Sequence, residues 1–539
     1  MSFLKLICFF FCGFSLLCFS SDKPNVLLIV CDDLNDYVET LGGHPQTKTP
    51  HIRKLIESGV SFTQAHCNIP ICNPSRASFA TGIYPHTSQQ FGFEDWDKNE
   101  ILKNSRTMMD HFGENGYHTL GTGKVMHNRD QQEWKELGHP SDYGPFLYDG
   151  KERIPNLSVP APFRDDFGII DGNFGPLENV TNKKSSITGK KYSWMTGSWR
   201  KQRAMKYNSD DDRDPTGDEL NAQWAVKRLR ELAQSKKQKP FFMGVGFVRP
   251  HTPLIVPQKY FDLFPLESIE LPKILKADAD DTFKHTVTSK EDDRSGDRGT
   301  KMLDSLVASY GGDRKLALKK FIQAYLASVA SIDDLMGEIL EALKDTGLDK
   351  NTIVIYSSDQ GFYIGDHGWY DKRWMYEESL KMPFIVKWPG VVKAGSRNTD
   401  LVQNLDYAQT FLEIAGAPQP KDMQGFSLVP LLKGEAPKDW RKEVYYHYYE
   451  YPSVHMIPRH YGIRTKRYKL MHFYQFGNEW EMYDLKTDPD ELTNIYGNKK
   501  VEKLQKSLTN RLKNLRKHYE DDSDVSVRPD YIELYRKKS

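Results

Sequence analysis

Two short apolar runs, each ending in side chains that offer oxygen, constrain this chain more than any other feature. Asn25-Val26-Leu27-Leu28-Ile29-Val30-Cys31 stops at Asp32-Asp33, and Thr352-Ile353-Val354-Ile355-Tyr356-Ser357-Ser358 stops at Asp359-Gln360. A nearly continuous apolar run rich in branched residues reads as a strand buried on both faces of a parallel sheet. Residues 240–247 read the same way, and 117–121 as a shorter strand. Helical spacing lies between and around them, over 49–59, 108–115, 218–233, 316–344 and 406–415. This alternation predicts the α/β class, with buried strands of a parallel sheet. Such sheets bind ligands beyond the carboxyl ends of their strands, where Asp32, Asp33, Asp359 and Gln360 fall. Adjacent carboxylates repel unless a cation lies between them; the plainer reading is a turn that favours Asp.

The second informative stretch is Cys72-Asn73-Pro74-Ser75-Arg76-Ala77-Ser78-Phe79-Ala80-Thr81-Gly82. Asn73 is a good N-cap and Pro74 a good first helical residue, so Cys72 is expected at the mouth of a helix, where free N–H groups bind anions. Arg76 falls one turn in and can return towards Cys72 with a permanent charge. A thiol placed so is either an activated nucleophile or a buried structural cysteine.

The run resembles the sulfatase signature, Cys-x-Pro-Ser-Arg followed by Thr-Gly. In that family the Cys is oxidised after translation to Cα-formylglycine (3-oxoalanine), so the resemblance implies an aldehyde hydrate at position 72 and a maturating enzyme that makes it. It also implies an alkaline-phosphatase-like α/β fold, a large, mixed but mostly parallel sheet flanked by helices, with a smaller C-terminal α+β domain. Gly123-Lys124-Val125-Met126-His127 resembles the element that supplies a sulfate-binding Lys and a nearby His, with the longer spacing of iduronate-2-sulfatase-like members. Sulfatases also place a His where Arg249-Pro250-His251 leaves its strand. The block from Gly365-Asp366-His367 through Lys372 to Ser379, with Asp359-Gln360, looks more like bacterial glucosamine-6-sulfatases.

By this resemblance Asp32, Asp33, Asp359, Gln360 and the modified Cys72 hold one divalent cation. A set of carboxylates and an amide favours Ca²⁺, with Mg²⁺ second, whereas zinc prefers His or thiolate. Gln360 departs from the Asn or His common in the family, though its amide oxygen still suits a hard cation. The resemblance further implies that Arg76 and Lys124 orient the hydrate, and that Lys124, His251 and Lys372 bind sulfate oxygens. His251 or Lys372 would protonate the leaving sugar oxygen, and His127 would take the proton of the second hydroxyl; His367 is expected to face the substrate. The implied activity is hydrolysis of sulfate esters on a sulfated polysaccharide or oligosaccharide, ulvan-like or glycosaminoglycan-like, from chain ends. Two alternatives stand beside it: a phosphomonoester or phosphodiester hydrolase of the same superfamily, and an inactive sulfated-glycan-binding protein.

The rest of the chain sets bounds on these readings. Residues 1–20 read as a secretory signal peptide, with Lys5 ahead of an apolar stretch too short to span a bilayer. A secreted or periplasmic protein is expected, in preference to lipid anchoring at Cys18, because Leu17 is larger than the residue usually found before a lipidated cysteine. No later stretch is apolar for long enough to be a membrane span. Cleavage leaves Cys31, Cys67 and Cys72, which is no disulfide framework. The formal net charge of +1 gives no global field that argues for nucleic acid or a membrane surface. The expected organisation is a catalytic domain over 21–437 and a C-terminal subdomain over 438–539, whose Tyr-rich alternation suggests antiparallel strands with one solvated face, followed by a terminal helix. Residues 128–217 show little periodicity and read as an insertion over the sheet edge, and 276–315 as a charged surface loop.

Overall fold

The computed structural model describes residues 23–521 except 128–133, 199–200, 236–238, 274–280, 284–297, 452, 454 and 476–477. The expected signal peptide, with Cys8, Cys12 and Cys18, and most of the charge-dense stretch 289–298 lie outside the described residues. The centre is an eight-stranded sheet built from β1 (Asn25–Asp32), β2 (Val60–Phe62), β3 (His118–Gly123), β4 (Glu136–Pro140), β5 (Phe241–Pro250), β6 (Thr352–Ser358), β7 (Phe384–Lys387) and β8 (Ser396–Asn398). Their spatial order is β8-β2-β7-β6-β1-β5-β3-β4. Strand β7 alone runs against its neighbours; every other pairing is parallel.

The register explains why β1 is apolar throughout. It lies between β5 and β6, with Leu28 opposite both Gly244 and Ile355, so neither of its edges nor its faces reaches water. Its side chains alternate between two cores, as the period of a strand requires. Leu27 and Ile29 pack with Ala222, Leu229, Phe321 and Tyr325, from helices α3 (Gly217–Gln234) and α4 (Arg314–Asp345). Val26, Leu28 and Val30 pack with Phe79 and Phe411, from α2 (Cys72–Thr81) and α5 (Asp406–Ala415). Helix α1 (Pro50–Ser58) buries Ile52, Leu55 and Ile56 on the first side. Each fully buried aliphatic side chain contributes about 1.5–3 kcal/mol. The start of α3 is written in Thr216-Gly217-Asp218-Glu219: the Thr216 hydroxyl accepts from the Glu219 N–H while the Glu219 carboxylate accepts from the Thr216 N–H.

Four expectations need correction. Helix α2 starts at Cys72 with Ile71 at its N-cap, not at Asn73; the Asn73 side chain instead donates to the carbonyls of Gly92 (2.8 Å) and Glu94 (3.0 Å), because a fully buried amide must find partners. The stretch 128–217, expected as an insertion lying over the sheet edge, itself supplies that edge, since Glu136–Pro140 is the outermost strand of the main sheet. Beyond it, Phe146–Tyr148, Arg153–Ile154, Ser193–Gly197 and Gln202–Met205 form a separate four-stranded sheet over a small core. Arg298–Ser309, expected as loop, is a helix with Met302, Leu303 and Leu306 buried at helical spacing.

The fourth correction concerns the C-terminal meander β9 (Glu443–Tyr448), β10 (His460–Thr465), β11 (Tyr468–Phe473) and β12 (Glu479–Asp484). It has no solvated face. Tyr445, Ile463 and Leu470 meet Leu508 and Leu512 of α6 (Glu502–His518), while Val444, Tyr446, Met471 and Phe473 join the main core. Buried charges cross that junction: Glu377 pairs with Arg464 (2.9 Å) and Lys469 (3.0 Å), and Lys469 pairs with Glu491 (2.8 Å). No helix among the described residues is long and apolar enough to cross a membrane.

The sheet allows no side chain at Gly246 of β5, where a Cβ would overlap the backbone of Lys124 and Val125 at the end of β3. We expect Gly246→Ala to cost about 1–3 kcal/mol, seen as a lower urea midpoint; an unchanged midpoint would mean that these strand ends are not in close contact.

Candidate active site

Because β1, β3, β5 and β6 are parallel, their carboxyl ends open at one edge of the sheet. β1 delivers Asp32 and Asp33, β3 leads into Lys124 and His127, β5 leads into His251, and β6 leads into Asp359 and Gln360. Asp33 sits at φ 61°, so the chain leaves β1 in a left-handed turn that brings the second carboxylate back towards the first. Cys72, on the first residue of α2, faces the same point. Asp32, Asp33 and Asp359 each present an oxygen within 4.8 Å of the other two, and Asp32 and Cys72 lie within the same reach of His251.

Three buried cations answer three buried carboxylates. The Arg76 guanidinium donates from Nε to Asp359 (2.8 Å) and from Nη2 to Asp32 (3.2 Å), and from Nη1 to the carbonyls of Lys124 and of Val125 (2.9 Å). Lys124 Nζ pairs with Asp32, and Lys372 Nζ with Asp33. Lys372 Nζ is also 3.5 Å from Cys72 Sγ, and Gln360 Nε2 is 3.3 Å from it and 2.6 Å from Asp33 Oδ1. Burial pushes Asp32 up, but Lys124, His251 and Arg76 together hold it well below the ordinary carboxylate range. Asp359 goes the other way: burial raises it well above that range, Asp32 adds to the rise, and Arg76 only partly opposes it.

Burial lowers Lys124 and Lys372, yet Asp32 and Asp33 respectively outweigh it and keep both ammonium groups charged. His127 is held well below its usual value by burial and by the charge of Lys124, so it is neutral near pH 7.

The donor set fits a hard cation. All the converging ligand atoms except sulfur and imidazole are oxygens, and two buried oxygens, Asp33 Oδ2 and Gln360 Oε1, have no hydrogen-bond partner. Buried polar atoms left so are rare without a further group to meet them. Asp32, Asp33, Asp359 and Gln360 would hold such an ion, beside residue 72.

In front of the carboxylates is a cavity of about 390 Å³. Of the expected residues it is lined by Asp33, Cys72, Lys124, His127, His251 and Lys372. Asp32, Asp359, Gln360 and Arg76 stand behind this wall; Arg76 braces carboxylates and carbonyls and does not line the cavity. His367 is also placed elsewhere than expected. It is buried, stacks on Tyr376 with ring centroids 4.3 Å apart, and has Glu378 3.4 Å away, so it packs the junction with the C-terminal sheet and does not line the cavity.

The cavity adds residues that sequence reasoning missed, among them Phe93, Tyr143, Asp171, Asp371, Arg373 and His455. Asp371 and Arg373 flank Lys372 and form a buried ion pair, which their adjacency to a sulfatase-like Lys could have suggested. Tyr143, Asp171 and His455 carry no comparable signal. The first two come from the insertion without periodicity, and His455 from a connection after β9. Cys67 is free and buried, with its Sγ 3.7 Å from the Ser379 carbonyl, and makes no disulfide with Cys72.

Residues 24–417 match the family described as Sulfatase, and 365–518 match N-sulphoglucosamine sulphohydrolase, C-terminal. The N-acetylglucosamine-6-O-sulfatase of Bacteroides thetaiotaomicron is 30% identical over 513 residues, covering 93% of this chain and 87% of that protein. A sulfatase of Formosa agariphila is 31% identical over 522 residues, covering 95% and 90% respectively. A solved structure in complex with its substrate D-glucosamine-2-N,6-O-disulfate aligns with TM-score 0.70 at 25% identity, covering 94% of this chain and all of that one.

The Arg76 fork admits a direct test. Arg76→Lys keeps the charge but satisfies fewer of the groups that the fork holds, and breaking a buried pair costs about 3–5 kcal/mol. A marked fall in thermal midpoint is therefore expected, and an unchanged one would show that the carboxylates do not rely on the fork.

Proposed function

The chain belongs to the sulfatase family, and on that premise we propose that it is a secreted or periplasmic hydrolase of sulfate esters on glycan chain ends, working through a formylglycine hydrate at position 72 beside one Ca²⁺. The observation that carries this reading is the meeting of Cys72 with Lys124, Lys372, His127 and His251 in one cavity, backed by Asp32, Asp33 and Asp359. The cavity volume suits one sugar ring with its sulfate better than a polymer lying across it. Relatives named for N-acetylglucosamine-6-O-sulfate and for a glucosamine disulfate substrate favour sulfated amino sugars of the glycosaminoglycan kind over ulvan.

Sulfate esters are anionic and their sulfur is a poor electrophile, so charge on the non-bridging oxygens has to be offset while a nucleophile is held in line. When bound, the cation offsets part of that charge and makes a neighbouring hydroxyl more acidic. Lys124 and Lys372, kept charged by their carboxylates, bind the sulfate oxygens on the cavity side. Arg76 holds Asp32 and Asp359 at fixed spacing so that the ligands do not rearrange during turnover. His251 Nδ1 donates to the Thr252 carbonyl (2.5 Å), which fixes the ring with Nε2 towards the cavity, 3.7 Å from Asp33 Oδ2. When Nε2 also carries a proton, His251 gives that proton to the departing sugar oxygen and is left as the neutral imidazole, with Lys372 as the other candidate donor. His127, neutral and with Nδ1 unpartnered, accepts the proton of the second hydroxyl at residue 72, which allows sulfate to leave without water attacking sulfur. Asp371, Arg373 and His455 offer polar contacts to the rest of the sugar.

Peptide mass spectrometry across Cys72, on protein made with and without a maturating enzyme, tests the nucleophile. The converted peptide is expected about 18 Da lighter, with desulfation of N-acetylglucosamine-6-sulfate confined to that sample. Equal hydrolysis by the unconverted thiol would overturn the reading and favour phosphoryl-type chemistry on phosphate esters. In converted protein, Lys372→Ala should lower kcat/KM by about 10²–10³-fold. Chelation should lower the thermal midpoint, with Ca²⁺ restoring it better than Zn²⁺; preference for Zn²⁺ would count against an oxygen-ligand site.

A further inference from the structure

Residues 179–209, within the insertion, contain eight basic side chains and no acidic one, although the whole chain carries a formal net charge of only +1. Lys184, Lys191, Lys201 and Arg203 are exposed there, and none has a carboxylate within ion-pairing distance among the described residues. Lys184 and Lys191 face each other across an antiparallel bridge. The flanking bonds run from Ser185 N to the Lys190 carbonyl (2.9 Å) and from Tyr192 N to the Lys183 carbonyl (3.1 Å), so the two lysines form the non-hydrogen-bonded pair, whose side chains come closest. Like charges directly opposite each other destabilise a hairpin. An anion lying over the pair removes that cost.

The basic stretch is tied to the cavity wall. Asp142 is buried between Ser141 and Tyr143, both of which line the cavity. Its carboxylate accepts from Thr196 Oγ1 (2.6 Å) and Gly197 N (2.7 Å) on the strand Ser193–Gly197. Arg203 pairs opposite Thr196, and Lys191 lies five residues before it, about 17 Å along the chain at strand spacing. That is a span of several sugar rings.

We infer that this basic hairpin is a docking surface for the anionic chain of the substrate, a multiply sulfated oligosaccharide whose terminal sugar occupies the cavity. The inference rests on the sulfatase reading and narrows it from sulfated sugars in general to chains with several sulfate groups. Ile187, 89% exposed at the turn between the lysines, points to a bilayer instead. A single apolar side chain is a weak anchor, and the bonds through Asp142 lead to the cavity.

The test compares the converted full-length protein with its Lys184→Gln, Lys191→Gln, Lys201→Gln, Arg203→Gln variant on a sulfated monosaccharide and on a sulfated octasaccharide. Octasaccharide kcat/KM is expected to fall about tenfold at low salt and to lose most of its salt dependence, while monosaccharide kcat/KM stays within about twofold. The thermal midpoint should hold or rise, because the lysine repulsion is gone. Equal losses on both substrates, or an octasaccharide rate that does not change, would overturn the inference. So would loss of binding to phosphatidylglycerol vesicles with octasaccharide turnover intact. Should the parent desulfate neither substrate, the sulfatase reading itself fails; octasaccharide titration of parent and variant then decides the docking surface separately, with equal affinities overturning it.

Discussion

Three carboxylates crowded together with almost no exposure to solvent are the interaction on which the rest of this structure depends. Asp32, Asp33 and Asp359 are each nearly inaccessible to solvent, and such a group is stable only when each charge meets an opposite one. The required cations come from three separate parts of the chain: Arg76 from α2, Lys124 from the end of β3, and Lys372 from the segment after β6. Bringing them together ties the helix, two strands and that segment to one point. The C-terminal meander is drawn in as well, because Glu377, five residues past Lys372, is held by Arg464 and Lys469 from β10 and β11. What looks like an appended sheet is thus part of the support for a lysine at the cavity.

Much of this was legible in order along the chain. An apolar run that ends abruptly in Asp32-Asp33 identifies a buried strand and the end at which its carboxylates gather, and the second run ending in Asp359-Gln360 identifies its neighbour. The Cys72 stretch is local, so its signature survives without any knowledge of the fold. What was not legible depends on distant partners. Asn73 has the chemistry of an N-cap, but the carbonyls of Gly92 and Glu94 compete for it, and only tertiary structure supplies those. His367 looks like a cavity residue from its neighbours in sequence, yet Tyr376 and Glu378 hold it in the junction. The alternation in β9 to β12 announces strands correctly; that both their faces are buried depends on α6 and on the main core together.

The insertion shows that overall charge does not describe local charge. Acidic and basic residues nearly balance across the chain, so the sum hides a stretch of one sign. Charges act over a Debye length of about 8 Å at physiological ionic strength, and at that range the local arrangement decides what is attracted. Placing this stretch outside the central sheet separates two demands. The sheet and its buried ion pairs hold Asp32, Asp33 and Asp359 together, while the basic side chains of Lys184, Lys191, Lys201 and Arg203 stay exposed on the hairpin.

The depth of Cys72 carries a consequence for biosynthetic timing. Its side chain is 2% exposed, with Lys372 and Gln360 against the sulfur. Ser75, one turn into α2, donates its hydroxyl to the Asp359 carbonyl (2.6 Å) and accepts from Asn404 (2.8 Å). These partners lie some three hundred residues further along the chain, so the segment around Cys72 leaves the ribosome long before they can cover it. A macromolecule that is to act on that cysteine has this interval in which to meet it as an open chain. Once the second half of the protein has folded, only molecules small enough to enter the cavity can reach the residue.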